Sequence, residues 1–516
     1  MSSLTEASLK PAVILADFGT SYTKWTLLIL DSTDSCHLEP AVSESVESER
    51  PLSDGGCEWN VSKFIKRMVL AVLEANLKAN KLGCVVRGIC CTSTTTSIAA
   101  LRRRNLVHHI PAFRWDDQRA TVEAASLESL RRELRVNLWM PFSADSAPAR
   151  ALWLASRFPE DMTGDISLIE QIDLVSFFWT GRRVLSETVA SRKWGFTETR
   201  PWPADFHAAV ADLFGGHLPA MLPRHLVESA TPIGRVLPSA AEIYGLSPST
   251  QVIAAPYDTI AQVLGLGLLH EDAAAAVSLG TSMGVFSLTR DLHTVEYSVY
   301  GPIPDVPFRD QGLYYDGLRS CASAIDLVCA MALGPKGTGT VYYDRISQCL
   351  RETEPGSDGV SVVPYFNGGL RSAIGGVPVI RGFRDTKQKH LVRAVYEAIA
   401  YHIRLIIENF EGAMRSPLRR LFTGGGPSKN TEFMQIVADV TGREVRVTKY
   451  SDSGLLGCAV CAAVGLKWFE SPEEASRALT AETDLFRPRL QHSQTYDDLY
   501  TQYRKELPAN EDRSEE

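Results

Sequence analysis

Along this 516-residue chain, short apolar runs ending in glycine turns alternate with longer stretches whose apolar residues recur every three or four positions. Ala12 to Ala16 and Lys24 to Leu30 read as two strands joined by a turn at Gly19. Asn60 to Ala79 places Val61, Phe64, Ile65, Met68 and Val72 on one helical face, with Gly83 as a stop. His390 to Phe410 repeats this through Leu391, Val395, Ile399, Ile403 and Phe410. Strands alternating with helices predict an α/β fold. Arg200 to Pro203 and Leu218 to Pro223 read as ordered loops, and Pro508 to Glu516 as a frayed polar end.

One pattern occurs twice. Strand, Gly-Thr-Ser, strand appears as ILADFGTSYTKWTLL around Gly19 and again as AAVSLGTSMGVFSL around Gly280, half a chain apart. The repeat predicts two lobes, each offering the same turn. The length agrees, since roughly 150 residues per domain gives two large domains or three ordinary ones.

Composition narrows the class. With 45% hydrophobic and 22% charged residues and a net charge of −8, the chain is neither collagen-like, disordered nor a disulfide scaffold. Its 61 acidic against 53 basic residues argue against a dedicated nucleic-acid surface. Apolar runs such as Ala273 to Leu279 fall far short of the about 18 residues of a membrane span. Met1 to Lys10 is polar, so neither secretion nor membrane insertion is expected. The ten cysteines include one CxxC, Cys458 and Cys461, which reads as small residues packing on a helix in a reducing, cytoplasmic protein.

The candidate chemistry lies at the glycine turns. Glycine lets a backbone approach a ligand, and N–H groups with Thr and Ser hydroxyls donate to phosphate oxygens. Thr20 and Ser21 fit that role, and Lys24 opens the return strand with a positive charge. Asp17 would repel phosphate unless a cation lay between them, which suits Mg²⁺ held through water. A third glycine cluster, LFTGGGPSKN from Leu421 to Asn430, precedes an amphipathic segment and makes a strand, turn and helix N-terminus suited to a nucleotide. GPKGTGT, Gly334 to Thr340, lacks the P-loop pattern and reads as a mobile surface loop. Arg102 to Arg104 reads as a solvated hairpin tip, and His108 and His109 as structural. Asp258, in VIAAPYDTIAQVLGLG, is either a helix N-cap or a catalytic base on these grounds.

In order, ADFGTSYTK, FRWDDQRA, APYDTIAQVLGLG, SLGTSMG, GGGPSKN-TEFMQIVADVTG and SGLLGCAVCAAVG resemble the landmarks of the FGGY family of carbohydrate kinases, over roughly residues 12 to 470. RALWLASRFPE and PYFNGG also resemble family segments. The resemblance implies an actin-like ATPase fold of two ribonuclease-H-like lobes around a central cleft. It implies a sugar-binding lobe over 11–262, an ATP-binding lobe over 263–470 and a C-terminal extension over 471–516. By this resemblance Asp17 organises Mg²⁺; Gly19, Thr20, Ser21 and Lys24 face the phosphates, Lys24 standing where many members have Arg. Gly280, Thr281 and Ser282 hold the other side of the phosphates, Gly424, Gly425 and Asn430 line the adenosine pocket, and Asp258 is the general base. Thr94, Thr95, Thr96, Trp115, Asp117, Arg119 and Thr259 fall, with Asp258, on the acceptor side.

The departures lie in the acceptor pocket. Glycerol kinases carry an Arg-Glu pair upstream of the W-x-D-x-R motif and xylulose kinases a Met-His pair, whereas CTSTTTS, Cys91 to Ser97, looks closer to ribulokinase-like members. Ala-Pro-Tyr precedes Asp258 where glycine is common in the family. The expectation is an ATP- and Mg²⁺-dependent kinase of a small sugar, by preference a ketopentose such as ribulose or xylulose. A polyol kinase of the glycerol or erythritol type and a degenerate nucleotide-binding regulator are the alternatives, and a homodimer is compatible with each. A nucleotide switch of the actin or Hsp70 kind needs neither Asp258 nor the Trp115 motif.

Overall fold

The structure is a computed structural model and describes all residues except 1–8, 33–34, 48–51, 163–164, 217–224, 272, 293–300, 337–339, 367–376, 383–387, 451, 482 and 508–516. Several expectations therefore fall outside the described residues: the frayed end, the loop 218–223, the middle of GPKGTGT and the second half of PYFNGG. The chain forms two compact units. One comprises Met1–Gly265, Ile303–Gly312 and Gly454–Leu479, the other Leu266–Pro302, Leu313–Ser453 and Thr480–Glu516.

In the first unit, Lys10–Phe18 and Tyr22–Ser32 form the expected antiparallel hairpin, with Asp17 opposite Lys24. Cys84–Ser93 runs parallel beside the first of these strands, and Gln251–Ala254 parallel beside Cys84–Ser93. Helix Val61–Lys81 covers this sheet, burying Phe64, Met68 and Val72 in one core with Ile14, Ala16 and Leu27. It starts where Asn60 accepts a hydrogen bond from Lys63 N and stops at Gly83, whose φ of 70° no helix continues.

The second unit repeats the plan. Ala274–Leu279 and Met283–Thr289 form the hairpin, and Arg420–Gly425 runs parallel beside the first strand, followed by Glu444–Thr448. Helix Gln388–Met414 packs Val395, Ile399 and Ile403 into a core with Val277 and Val285. It runs four residues beyond the predicted Phe410, because no stop signal intervenes before Arg415, whose φ is 52°. The two hairpins differ by one residue: Phe18 faces Thr23, while Leu279 faces Met283.

Other readings hold in detail. Arg103 and Arg104 form the exposed tip between paired strands Ile98–Arg102 and Asn105–Leu106. His109 is exposed, 2.9 Å from Asp161. Cys458 and Cys461 are buried on helix Ser453–Gly465, and none of the ten cysteines is disulfide-bonded. Among the described residues, no helix is long and apolar enough to cross a membrane.

Gly425 fixes how closely the second unit's central strands approach. Its φ is 107°, and a Cβ there would sit 1.9 Å from the Leu279 carbonyl oxygen, whereas nothing lies within 4 Å of a Cβ at Gly426. Gly425→Ala is expected to destabilise by about 1–3 kcal/mol or more. Gly426→Ala should stay within about 0.5 kcal/mol. Thermal unfolding of the two variants side by side checks the difference.

Candidate active site

Asp17 lies near the end of its strand, with Lys24 across the hairpin and Thr92 beside it on the parallel strand. Directly opposed residues hold their Cβ atoms about 4.5–5.5 Å apart, so the carboxylate and the ammonium share one face. Gly19 turns tightly enough that a Cβ would meet the Tyr22 carbonyl at 3.2 Å. Thr20 and Ser21 stand at the tip, and Thr20 Oγ1 accepts a hydrogen bond from the Trp115 indole at 3.0 Å. A Cβ on Gly454 would sit 2.9 Å from the Asp17 carboxylate, so the carboxylate packs directly against this glycine. Farther along the same helix, a Cβ on Gly457 would collide with the Ala261 carbonyl.

The second turn has different chemistry. Gly280 N–H donates to Ser282 O at 2.9 Å, and the Gly280 and Thr281 carbonyls accept from Ala322 and Cys321 N–H at the start of helix Ala322–Leu333. With those carbonyls tied back, Thr281 and Ser282 are left exposed. The register places Ser278 beside Gly424 and Leu279 beside Gly425, bringing the Gly-Thr-Ser and Gly-Gly-Gly turns to one sheet edge. Ser428 Oγ donates to Gly425 O at 2.7 Å. Asn430 caps helix Thr431–Thr441 through Phe433 N and donates to Ser347 Oγ at 3.2 Å.

On the acceptor side, Thr94–Ser97 form the turn between strands Cys84–Ser93 and Ile98–Arg102. Thr94 donates to Gln171 Oε1 at 2.8 Å and lies 3.0 Å from Ser97 Oγ. The Thr95 and Thr96 hydroxyls are buried without a hydrogen-bond partner. Thr96 is fully buried with a φ of 55°, a strained conformation for a β-branched residue. Trp115 is 47% exposed. Asp117 is fully buried, accepting from Cys57 N at 2.7 Å and from the Arg119 guanidinium at 2.7 Å. Arg119 stacks on Phe113 and Trp153, so this pair supports the Trp115 loop from beneath.

Sequence reasoning missed the group that ties these loops together. Arg150 is fully buried on helix Ala147–Arg157 and donates to the carbonyls of Thr96, Trp115, Asp117 and Ala144. Its only sequence signal is a cation on the apolar face of RALWLAS. Lys193, ion-paired with Asp145, was equally unmarked, as was Glu170.

Asp258 opens helix Asp258–Gly265. Its Oδ1 accepts from Thr259 N at 2.6 Å and Thr259 Oγ1 at 3.2 Å, the next residue rather than the second or third N–H that an N-cap satisfies. Burial pushes its carboxyl up to about 6, against the pull of Thr259 and Lys193. Burial likewise pushes Glu170 up to about 7, opposed by Arg150 and Lys193, and draws Lys193 down.

Among the described residues, no group of three or more His, Cys, Asp or Glu could hold a metal. A single carboxylate such as Asp17 fits Mg²⁺, which keeps several waters and would take its other ligands from phosphates.

Residues 275–466 match the C-terminal domain of the FGGY family of carbohydrate kinases. The chain is 24% identical over 507 residues to a xylulose kinase of Lactococcus lactis, covering 95% of each. It is 25% identical over 359 residues to a ribulokinase of Halalkalibacterium halodurans, covering 65% of this chain and 62% of that one. The crystal structure of xylulose kinase from Rhodospirillum rubrum superimposes with a TM-score of 0.81 at 20% identity, covering 96% of this chain and 98% of that one. The fold is the two-lobe actin-like ATPase fold, and the proteins it is similar to are phosphotransferases with an alcohol group as acceptor. What the chain resembles is the FGGY family of carbohydrate kinases, whose C-terminal domain it matches over residues 275–466.

Arg150→Met keeps the length of the side chain but leaves four carbonyls without their donor. It is expected to destabilise by about 3 kcal/mol or more, since each buried carbonyl left unpaired costs about 1–3 kcal/mol. A fall in melting temperature, together with faster proteolysis around residues 94–97 and 115–119, checks this.

Proposed function

We propose that this protein transfers the γ-phosphate of ATP to a hydroxyl of a ketopentose, of the ribulose or xylulose kind. The observation that carries the reading is Asp258. Its Oδ1 is held by Thr259, its pKa is raised towards neutrality, and Oδ2 remains to take a proton. As the acceptor oxygen attacks the γ-phosphorus, Asp258 Oδ2 accepts its proton, and ADP departs with the electrons of the broken P–O bond.

Asp17 would hold Mg²⁺ through its water shell, and the ion would neutralise charge on the phosphates. Thr20, Ser21 and Lys24 donate to the transferred group, and Thr281 and Ser282 to the neighbouring phosphates. Gly424 and Gly425 leave a flat backbone edge for adenosine, with Asn430 capping the helix behind it. In this reading residues 11–262 carry the acceptor and 263–470 the nucleotide, with 471–516 as an extension.

Thr94, Thr95 and Thr96 supply short hydroxyls near the acceptor, and Trp115 an apolar wall. Asp117, Arg119 and Thr259 act by positioning. The xylulose kinase and ribulokinase relatives support a ketopentose. Short hydroxyls suit an extended chain of several OH groups better than a three-carbon triol. Each buried hydrogen bond lost costs about 1–3 kcal/mol, enough to separate epimers.

ADP release measured over ketopentoses and glycerol tests the substrate. kcat/KM is expected to be highest for ribulose or xylulose, and a value for glycerol at or above every ketopentose overturns the choice. Asp258→Asn should lower kcat by about 10²–10⁴ with the melting temperature little changed. Because the base acts when ionised and its pKa is raised to about 6, kcat should be full above that value and fall as pH drops through it. A rate unchanged down to about pH 4.5, some 1.5 units below that value, removes Asp258 from the role.

A further inference from the structure

The first unit contains a cavity of about 300 Å³ beside the Gly19–Thr20 turn that the acceptor reading leaves largely unused. It lies at the small end of ligand cavities, which run from about 300 to 1,000 Å³, and suits a small molecule better than a nucleotide.

Its charge is one-sided. Lys63, Lys66, Arg67 and Arg114 all line it, against Glu47. Arg114 is matched by Asp116, at 2.6 and 2.7 Å, and Lys63 reaches Glu47 at 3.4 Å. Lys66 has no ion pair or hydrogen bond among the described residues, and Arg67 is steadied by donating to Thr23 Oγ1 at 3.2 Å. Helix Val61–Lys81 opens here with no acidic residue in its first turn, although a helix N-terminus favours anions. Three cations in its first two turns oppose that preference, and an oxyanion in the cavity would reconcile them.

The floor is built for hydroxyl groups. Gln171 is 5% exposed; Thr94 occupies its Oε1, and its Nε2 has no hydrogen-bond partner among the described residues. That amide nitrogen is a donor on the cavity wall, with Ser97 and the Trp59 ring lining the same cavity.

We infer that this cavity binds the oxyanion of a small hydroxylated ligand, a sugar phosphate or a sugar acid, with Lys66 and Arg67 on the charge and Gln171 on the hydroxyls. The inference goes beyond the proposed function and shares with it Gly19, Thr20 and Thr94.

Isothermal titration of the full chain with ribulose 5-phosphate, gluconate and inorganic phosphate tests it, in wild type and Lys66→Gln, with ADP release on neutral ribulose followed in parallel. The expected result is saturable binding of one anionic sugar, the tighter one naming the source, with inorganic phosphate weaker. Lys66→Gln should weaken it by about tenfold or more, as loss of a charge-assisted bond does. ADP release on the neutral sugar should be unchanged in that variant. No saturable binding of either sugar, inorganic phosphate binding as tightly as both, or affinity unaffected by Lys66→Gln overturns the site. The last result would assign the binding to the acceptor pocket instead. Anion binding lost only in Lys66→Gln, in a protein inactive on every neutral sugar, would support this site while overturning the ketopentose reading.

Discussion

A guanidinium with no exposed surface holds three loops of the first unit together. Arg150 reaches the carbonyls of Thr96, Trp115, Asp117 and Ala144, four points on three segments that are otherwise turns and loops. Burying such a charge is unfavourable unless its donors are met, and carbonyl oxygens meet them here without neutralising it. The constraint runs outward from there. Thr96 is kept at a φ of 55°, and the Trp115 loop stays where its indole reaches Thr20. The Thr94–Ser97 turn and the Gly19–Ser21 turn are thereby linked through Trp115, so displacing Arg150 disturbs both.

The two hairpins show how one backbone plan carries two chemistries. Asp17 and Ser278 occupy the same place, two residues before the turn glycine. Asp17 faces Lys24, whereas Ser278 faces Gly284. The first hairpin therefore carries a carboxylate and an ammonium near its turn, and the second only neutral groups. The residue by which the hairpins differ in length follows the same division, since the tighter turn has its carbonyls tied to a helix start.

Period and punctuation were legible in the sequence, because strands, long helices and glycine turns are local properties. The hairpin of Lys10–Phe18 with Tyr22–Ser32, helix Val61–Lys81 and helix Gln388–Met414 each follow from apolar spacing and a stop signal. The register that sets Gly425 against Leu279 did not follow, because parallel pairing joins residues far apart in the chain. The return of Gly454–Leu479 to the first unit was hidden for the same reason, as was the approach of Gly454 to Asp17. Of the site, the motif residues were visible through the family resemblance, but their division of labour was not. Nothing in W-x-D-x-R says that the tryptophan is exposed while the aspartate is sealed against its own arginine. Arg150, Gln171 and Lys193 lie in segments whose pattern reads only as helix.

The environment of Asp258 balances two opposing demands. A carboxylate open to water, with a pKa near 4, ionises fully but has little appetite for an alcohol's proton; one buried without compensation stays protonated and accepts nothing. Burial here raises the pKa, and the Thr259 N–H, the Thr259 hydroxyl and the charge of Lys193 limit the rise to about 6. Lys193 can exert that pull because its ion pair with Asp145 keeps it charged in a buried setting, even though burial lowers its own pKa. The same ammonium opposes the rise at Glu170, so one cation moderates two buried carboxyls. In the role proposed for Asp258, a carboxyl tuned in this way would be mostly ionised at neutral pH and still basic enough to take a proton as the phosphoryl group moves.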